Sequence, residues 1–545
     1  DPKLLDRHDY LIYCMKRRGI YLTIDLYCDR KLQKGEIPDI DGKNLKRLKG
    51  LIPIRKEAMD GWKKYSSLRL SHRNPCTGRT LAEDPALLFV NLINEGSILK
   101  HSGKTDYLKK IYKQAYQKYL DSRKLKDSPG QYASFLINTK VAAINSMTHY
   151  LKKELKLKAL ITDSNYTQDA ELTYLRNRLD LVDNHTYWNH LQKVNGWTMP
   201  FKFNNKSAVE CLAYAPRVLM PTRIYGKPFV VSEFNYCYPN TFRVEGGALM
   251  GAYAAFQDWD ALYRFTWANN VSLTKKARPI FMFNVVSDIS ARLSDKIAML
   301  LFTRNDVMKA RKRYPVWFDS ALLKHPGKSR LPSLWNYSFL GLNGSIGAVV
   351  SNSKPKNAVL EIGSNSFQQR IRQLENNLGM DREKPLVSDT GEIVLNSPAN
   401  IFKVISPKTA LLSCPAGSHQ AGPVTVDSKS DFSLFCVSSM DGENIQKSTN
   451  LLFIHLTDVQ NSNVKFKDEK RTLLQRWGTA PLLLRRGIAS VKLKLDPSST
   501  YKVTALDLDG RPKSRLNSKC RNGILEFEID NFSGGGTLLY SISKN

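Results

Sequence analysis

The sequence predicts a molecule in two parts, an α/β region followed by an all-β region. From residue 1 to about residue 275, helical stretches alternate with short apolar, β-branched runs that end in polar residues. This pattern is typical of parallel strands joined by crossover helices. Beyond residue 275 the pattern changes to short alternating strands separated by turns. Because 545 residues exceed what one hydrophobic core usually organises, we expect two or more domains.

Six parallel strands are predicted in the first half, each from an apolar run of strand length. They cover residues 19–27, 87–94, 159–163, 179–185, 229–233 and 262–267. Helical spacing of apolar residues predicts helices over 4–18, 107–122 and 131–155, so strands and helices alternate along the chain. The first half is therefore expected to form a parallel α/β fold.

The second half begins with a predicted helix over 294–311 and an irregular stretch containing Pro, Gly and Ser. Strands are then predicted over 401–405, 433–438, 451–456, 490–495, 501–508, 523–529 and 537–542. Asp509-Gly510 and Asn522-Gly523 mark hairpin turns between them. We place the domain boundary at residue 345, with 346–545 as a β-sandwich accessory region.

The chain is strongly basic, with 82 Lys or Arg against 50 Asp or Glu and a net charge of +32. A field of this sign attracts polyanions and weakens with added salt. The basic residues are spread over the chain, so solvated basic faces and a dedicated anion site are both compatible with them. No phosphate loop and no basic-aromatic motif is found, which argues against a specific nucleic-acid partner.

Cysteines and membrane signals exclude several further classes of protein. The eight cysteines show no C-x-x-C and no zinc-ligand spacing, so no metal or cofactor is expected. Most are expected to be buried thiols, although an oxidising compartment would permit a Cys414–Cys436 bridge. No run of eighteen uncharged apolar residues occurs, and residue 1 does not begin a signal peptide, so no membrane span is predicted.

Two glutamates follow or end predicted buried strands. Glu95 comes directly after Asn94 at the end of the strand 87–94, and Glu233 ends the strand 229–233. Parallel α/β folds place reacting groups at the carboxyl ends of their strands, and a buried strand rarely ends in an unpartnered glutamate. Two carboxyl groups across a sugar-sized cleft are what glycoside cleavage requires, one held protonated and the other ionised.

Other polar and aromatic residues at strand ends complete a sugar-binding site. Asn94 is placed to donate to a sugar hydroxyl. His185 ends the fourth strand and Tyr187 follows it, where the Tyr187 hydroxyl could keep a glutamate ionised. Trp267 would provide a floor for a pyranose ring. Each of the last three, taken alone, is equally compatible with core packing. The remaining candidates at strand ends are Asp163, Asn165 and Asp25.

With these residues the chain resembles the clan A retaining glycoside hydrolases, and within them the cellulase-like or β-galactosidase-like bacterial enzymes with C-terminal β domains. The resemblance covers about residues 1–350 and includes the segments around Leu5-Asp6-Arg7, Asn74-Pro75-Cys76-Thr77-Gly78 and Asn94-Glu95. It implies a (β/α)8 TIM barrel. It also implies that Glu95 is the acid/base and Glu233 the nucleophile, with Asn94, His185, Tyr187 and Trp267 as sugar ligands.

The sequence departs from this family in one respect. If 19–27 is the third barrel strand, strands three to eight are visible and the first two are not in this chain, and a six-stranded barrel does not close. We expect a separate N-terminal segment to complete the barrel. A second polypeptide, or a strand numbering that is wrong by two, would explain the same pattern.

Two functions of different classes follow from these residues. The first is a retaining glycoside hydrolase that cleaves β-linked glycans, with an anionic galactan-type polysaccharide, sulfated or uronate-bearing, as the substrate suggested by the basic charge. The alternative is a non-catalytic glycan- or polyanion-binding protein on a glycosidase scaffold. The architecture is typical of a secreted or periplasmic bacterial protein, which is the expected location.

Overall fold

The computed structural model describes residues 1–545 except 31, 33, 34, 39, 41–47, 534 and 535. Ten α-helices are found in this part of the chain: α1 Pro2–Lys16, α2 Lys56–Leu70, α3 Ile98–His101, α4 Asp106–Arg123, α5 Pro129–His149, α6 Leu172–Arg176, α7 Tyr214–Leu219, α8 Glu245–Phe256, α9 Ile289–Ala298 and α10 Phe367–Asn377. Shorter 3-10 helices cover Leu48–Gly50, Met220–Thr222, Val271–Thr274 and Leu334–Leu342, and π-helical turns cover Tyr150–Glu154 and Met299–Thr303. None of the described helices combines the length and the apolar character that a membrane crossing needs.

The strands of the first part are short and alternate with the helices. They are β1 Leu22–Asp25, β2 Leu87–Asn91, β3 Leu160–Thr162, β4 Val182–Trp188, β5 Gln192–Asn195, β6 Thr198–Lys202, β7 Phe229–Tyr236, β8 Ala261–Arg264, β9 Arg313–Asp319, β10 Ser345–Ser351 and β11 Leu360–Glu361. Six of them overlap the six predicted strands. The predicted helix over 294–311 is wrong in its bounds, because helical backbone ends at Thr303 and Asn305 takes a positive φ of 57°.

β1, β2, β3, β4, β7 and β8 lie side by side in chain order, an arrangement we call the six-strand array. β1–β2–β3 and β4–β7–β8 form two parallel sheets. The amide of Asp180 and the hydroxyl of Thr162 connect them, donating to Ile161 O and Leu181 O at 3.1 and 3.3 Å. Parallel strands in sequential order with helical crossovers are the arrangement of a (β/α) barrel.

The six-strand array is curved. The rings of Phe89 on β2 and Tyr263 on β8 meet edge to face at 6.3 Å, although three strands of the array, β3, β4 and β7, separate these two strands. Leu181 and Val230 belong to the same small interior cluster. Among the described residues β1 pairs only with β2 and β8 only with β7, so the two outer strands of the array are not paired with each other.

The C-terminal strands are antiparallel, as predicted. They are β12 Leu386–Val387, β13 Ile393–Asn396, β14 Ile401–Ile405, β15 Thr409–Cys414, β16 Gly417–Ala421, β17 Val424–Ser428, β18 Ser433–Ser439, β19 Asn450–Leu456, β20 Val459–Ser462, β21 Lys465–Phe466, β22 Leu473–Arg476, β23 Thr479–Leu484, β24 Ile488–Lys494, β25 Tyr501–Leu506, β26 Pro512–Arg515, β27 Ser518–Arg521, β28 Ile524–Asp530 and β29 Leu539–Lys544. A nine-stranded sheet and a five-stranded sheet enclose a second apolar core.

The predicted boundary at residue 345 falls at the first residue of β10. β10 pairs in parallel with β9, and β9 also pairs with β11, so these three strands form a small sheet between the six-strand array and the antiparallel region. The division into 1–345 and 346–545 stays a prediction.

The eight cysteines are free thiols, and the Cys414–Cys436 bridge is not formed. β15 and β18 are neighbours, but their register sets Cys414 opposite Ser433 and Cys436 opposite Leu411. The two sulfurs are therefore at different positions along the pair of strands, which a disulfide does not span.

Candidate active site

The carboxyl ends of β2, β4 and β7 bring the two predicted glutamates together. Glu95 follows β2 by four residues, and Glu233 lies within β7, where the parallel register sets it beside His185 of β4. Asp183, His185 and Tyr187 alternate along β4 and therefore share one face of the sheet. The site is built by neighbouring strands of the six-strand array.

Glu95 is held in an unusual backbone conformation. Its φ is 50°, in the left-handed region that few residues other than glycine adopt. The Glu95 amide donates to Asn165 Oδ1 at 2.7 Å, and His101 Nε2 donates to the Glu95 carbonyl at 2.8 Å. These two bonds fix the peptide on both sides of Glu95, so the direction of its side chain is set by the surrounding protein.

The two carboxylates share one histidine. His185 Nδ1 lies 3.5 Å from Glu95 Oε1 and 3.6 Å from Glu233 Oε2. One carboxylate oxygen of Glu95, one carboxylate oxygen of Glu233 and one ring nitrogen of His185 all lie within 4.8 Å of one another. The facing carboxylate oxygens are at most 4.8 Å apart, a spacing that fits the roughly 5–5.5 Å of retaining glycosidases better than the roughly 6.5–9.5 Å of inverting ones.

The same three side chains are also a donor set of the kind that holds a divalent cation. Glu95, His185 and Glu233 are the one group of three such residues found together in the described part of the chain. Their positions at the ends of separate strands were predicted, but their convergence as metal ligands was not, because no spacing in the sequence indicates it.

Glu233 accepts a hydrogen bond from the Tyr187 hydroxyl, as predicted from the sequence. The Glu233 side chain is 14% exposed. Burial raises the pKa of Glu233, and the charge of His185 and the Tyr187 hydrogen bond offset only part of that rise. Burial and the neighbouring Glu233 also raise the pKa of Tyr187, so the hydroxyl keeps its proton and acts as a donor.

His185 is buried and supported from behind. Its Nε2 lies 2.8 Å from the Ser232 hydroxyl and 2.9 Å from the Asn165 amide, and the Ser232 hydroxyl donates to Asp183 at 2.6 Å. Burial alone would lower the pKa of His185, but the hydrogen bond to Glu95 and the charges of Asp183 and Glu233 outweigh it, so the pKa is raised. The imidazole therefore holds its second proton to a higher pH than an ordinary histidine.

Glu95 responds in the opposite direction to Glu233. Burial raises the pKa of Glu95, but the hydrogen bond and the charge of His185 outweigh burial, so the pKa is lowered. The Glu95 side chain is 32% exposed, more than twice the exposure of Glu233. These opposite shifts favour the proton of the Glu95–His185 pair on the imidazole.

An aromatic group surrounds Tyr187. The rings of His190, Phe265 and Phe283 lie 5.6, 6.2 and 5.3 Å from the Tyr187 ring. Phe265 directly follows β8, so this group closes the side of the site formed by β4, β7 and β8. The packed rings fix the direction in which the Tyr187 hydroxyl points.

The other predicted site residues have different surroundings. Asn165 is fully buried and its amide nitrogen lies 3.1 Å from Asp183 and 3.4 Å from Asn94, so it orients its neighbours. Asp25 accepts from the Asn91 amide at 2.7 Å. Burial raises the pKa of Asp25, and the hydrogen bond from Asn91 and the charge of His185 offset part of that rise.

Trp267 lies three residues beyond β8 and is 53% exposed. The guanidinium of Arg292 lies 5.5 Å from the centre of its ring. No contact between Trp267 and either glutamate is found among the described residues, so its role as a sugar platform stays a prediction. Asp163 belongs to a buried ion pair with Lys140 at 2.9 Å, beneath the Asn165 loop.

Three comparisons with known proteins give little further information. No family model matches the chain, and no curated protein matches it. Among solved structures, a hyperthermostable endo-1,4-β-D-mannanase from Thermotoga petrophila is 16% identical with a TM-score of 0.34, over 54% of this chain and 79% of that one. An endo-1,4-β-mannanase from Rhizomucor miehei is 15% identical with a TM-score of 0.35, over 55% and 76%. Likenesses this weak do not establish the chemistry, which rests on the residues of this chain.

Several residues of the site were not predicted from the sequence. Asp183 and Ser232 stand in the predicted strands beside His185 and Glu233, and the alternation of β4 could have indicated Asp183. Lys49, in the short helix Leu48–Gly50, is only 5% exposed, and its charge acts to lower the pKa of Asp25 and of Glu95. No local pattern indicates Lys49, because its proximity to Asp25 and Glu95 depends on tertiary packing.

Proposed function

We propose that this chain carries the catalytic centre of a retaining glycoside hydrolase that cleaves β-linked glycans. The observation that supports it most directly is the pair of glutamates, one following β2 and the other on β7, with His185 Nδ1 3.5 Å from Glu95 and 3.6 Å from Glu233 and the facing atoms of all three within 4.8 Å. That separation leaves room for a sugar carbon between the carboxyls and is too short for an interposed water, which inversion requires.

The reaction proceeds in two displacements. Glu233 attacks the anomeric carbon while Glu95 donates a proton to the leaving oxygen, which gives a covalent glycosyl ester on Glu233. Glu95, now ionised, removes a proton from water, and the water oxygen displaces Glu233 from the sugar. The Tyr187 hydroxyl donates to Glu233 and stabilises the charge that this residue carries before attack and after release.

Glu95 has to gain a proton before the first displacement, because its pKa is lowered in the free protein. A sugar that fills the cleft withdraws Glu95 from water and raises its pKa. The proton source is His185, whose Nδ1 lies 3.5 Å from Glu95 and whose pKa is raised. Substrate binding therefore transfers a proton from His185 to Glu95, which leaves Glu95 protonated for the first displacement.

We also propose that the glycan is anionic, of a sulfated or uronate-bearing galactan type. The net charge of +32 supports this, and so does Lys49, which is buried near Asp25 and Glu95 and has no ion-pair partner among the described residues. A positive charge beside the site favours a ligand that brings a negative charge. Binding of an anionic oligosaccharide that does not weaken with added salt would contradict this part of the proposal.

Two further strands are proposed to close the barrel, from a separate N-terminal segment. β1 and β8 each lack a second neighbour in the described part of the chain. The side of α1 carries exposed Leu4, Tyr10 and Leu11, and Ile20 and Tyr21 before β1 are exposed as well. An added strand-helix-strand unit would pair the free edges and cover these apolar side chains.

The experiment that tests the proposed function is covalent trapping. A 2-deoxy-2-fluoro-β-glycosyl fluoride slows the second displacement, so a retaining enzyme accumulates its glycosyl ester. We expect a mass increase of one sugar residue, located on the peptide that contains Glu233, and no labelling of Glu233→Gln. Labelling of Glu95 would reverse the roles. No labelling, together with measurable glycan binding, would favour the non-catalytic alternative.

A further inference from the structure

Two hairpins that are distant in sequence form one small sheet beside the candidate active site. β5 and β6 follow β4 directly, and β6 pairs with β22 of the C-terminal region, so that Phe201 lies opposite Leu474. β21 completes the order β21–β22–β6–β5. We call these four strands the hairpin sheet.

The hairpin sheet is packed against the residues that surround Glu233. Leu191, Phe201 and Leu474 form a buried cluster, and Tyr187 and Phe283 pack against it. The His190 ring continues the contact, at 5.6 Å from Tyr187 and 5.4 Å from Phe283. The base of the hairpin sheet is therefore part of the wall of the site.

The tip of the first hairpin carries an exposed tryptophan. Asn195 pairs with Thr198, so Gly196 and Trp197 form a two-residue turn. Trp197 is 60% exposed, and Lys193 Nζ lies 3.4 Å from the centre of its ring. An indole that keeps this much surface in water offers a stacking face for a sugar.

The hairpin sheet is also the site of a dense positive charge. Residues 189–206 and 463–477 contain eight Lys or Arg and two Asp or Glu, a net +6 in 33 residues, against +32 in all 545. Lys202, Lys465 and Lys467 are exposed, and no ion pair involves any of them in the described part of the chain. These charges are available to an anionic ligand.

We propose that the hairpin sheet binds anionic polysaccharide, with Trp197 stacking on one sugar residue away from the glutamates and Lys202, Lys465 and Lys467 attracting the anionic groups. A polymer that reaches from the cleft along the wall formed by Tyr187 and His190 meets this surface next. That the bound polymer is also the one cleaved rests on the proposed function, whereas the binding itself does not.

The test is equilibrium binding to dextran sulfate, polygalacturonate and neutral dextran, in the Glu233→Gln background so that turnover cannot interfere. We expect Trp197→Ala, and separately the triple change of Lys202, Lys465 and Lys467 to Ala, to weaken binding of one or both anionic polymers about tenfold. Trp197→Phe should restore most of the loss. Neutral dextran should bind more weakly than either.

The matched control removes the same charge elsewhere, by changing Lys110, Lys113 and Lys118 on α4 to Ala, all of which are exposed. This variant should change binding by less than about twofold. An equal loss in the control would overturn the proposal, since binding would then follow net charge alone. The proposal would also be overturned if the chain bound a single-stranded oligonucleotide as tightly as the anionic glycans and the Trp197 and triple-lysine variants lost both kinds of binding equally. Thermal melting of each variant excludes misfolding as the cause.

Failure of the proposed function can be told apart from failure of this inference. Suppose that the chain has no glycosidase activity but its polysaccharide binding still depends on Trp197 and the three lysines. The proposed function would then be wrong, and the binding role of the hairpin sheet would stand. If the chain is an active glycosidase and polysaccharide binding is unchanged in both variants, the proposed function would stand and the binding role of the hairpin sheet would be wrong.

Discussion

His185 couples the two glutamates of the candidate site. Its Nδ1 lies nearly equidistant from Glu95 and Glu233, and its other nitrogen is held by Ser232 and Asn165. The imidazole therefore acts on the pKa of both carboxyls, lowering that of Glu95 below its usual range while that of Glu233 stays raised. His185 therefore favours the ionised form of both carboxyls, against the opposing effect of burial.

The ionisation of Glu233 predicts how activity falls in acid. A nucleophile has to be deprotonated, so the rate rises with pH through the raised pKa of Glu233. The Tyr187 hydrogen bond lowers that pKa, and Tyr187→Phe removes it. The acid limb of kcat/KM should therefore move up by about half to one pH unit in Tyr187→Phe. A pH–rate profile on an activated aryl glycoside measures this, and an unchanged or lowered limb would contradict it.

The acid role of Glu95 predicts a dependence on the leaving group. Glu95→Ala should lower the rate about 10²–10⁴-fold for a glycoside with a poor leaving group. A dinitrophenyl glycoside needs no protonation, so its first step should change much less. Steady-state rates over a series of aryl glycosides provide the measurement. An equal loss for every leaving group would show that Glu95 is not the acid.

At the scale of elements, local patterns predicted the strands and the glutamates that end them. The position of Tyr187 just after the fourth predicted strand also suggested that its hydroxyl could reach a glutamate, and it donates to Glu233. The positive φ of Glu95 was not predictable, because it depends on Asn165 and His101, which come from other elements. The pairing of β6 with β22 was not predictable either, since register between distant segments leaves no local signal.

Asn165 was predicted to bind sugar, but its burial gives it a different contribution. It is enclosed and bonds to Glu95, Asn94 and Asp183, so it orients the loop after β2 relative to β4. The sequence pattern indicated that Asn165 is a polar residue after β3. It did not indicate whether the side chain points into the cleft or into the protein interior. The direction of a side chain at a strand end depends on the neighbouring strands.

The loop that carries Asn165 depends on the buried pair of Lys140 on α5 and Asp163. Both side chains are fully buried, and Asp163 also accepts from the Ser164 hydroxyl at 2.6 Å. Lys140→Met should lower the free energy of unfolding by about 3–5 kcal/mol, because it leaves a buried charge unpaired. The double variant Lys140→Met with Asp163→Leu should be less destabilised than either single change. Denaturant unfolding measures all three, and additive losses would contradict the pairing.

At the scale of the whole molecule, the two predicted regions share one apolar core. Phe242 meets Phe432 at 4.9 Å, and Tyr253 on α8 meets Phe402 at 6.0 Å. Arg243 is buried between Asp288 and Asp458, at 2.6 and 2.9 Å, and so joins the two regions by charge as well. The C-terminal strands cover the outer helices of the six-strand array.

This shared core predicts that residues 1–345 do not fold alone. Removing 346–545 exposes Phe242 and Tyr253 and leaves Arg243 with one of its two carboxylates. We expect the truncated chain to aggregate or to lack a cooperative thermal transition, in contrast to the full chain. Calorimetry and near-ultraviolet circular dichroism provide the measurement. A soluble fragment with a sharp transition would show that the two regions are independent domains.

The central claim is that Glu95 and Glu233 perform a retaining double displacement. The most direct test is the hydrolysis of aryl β-glycosides, the galactoside and glucoside first, by the full chain and by Glu233→Ala and Glu95→Ala, each with and without azide. The full chain should release the aglycone, and Glu233→Ala should lose about four or more orders of magnitude in rate. Azide should rescue Glu233→Ala with an α-glycosyl azide and Glu95→Ala with a β-glycosyl azide.

Those two products distinguish the nucleophile from the acid/base by stereochemistry, and nuclear magnetic resonance identifies them. Turnover with inverted product from the unmodified chain, or full activity in Glu233→Ala, would contradict the claim.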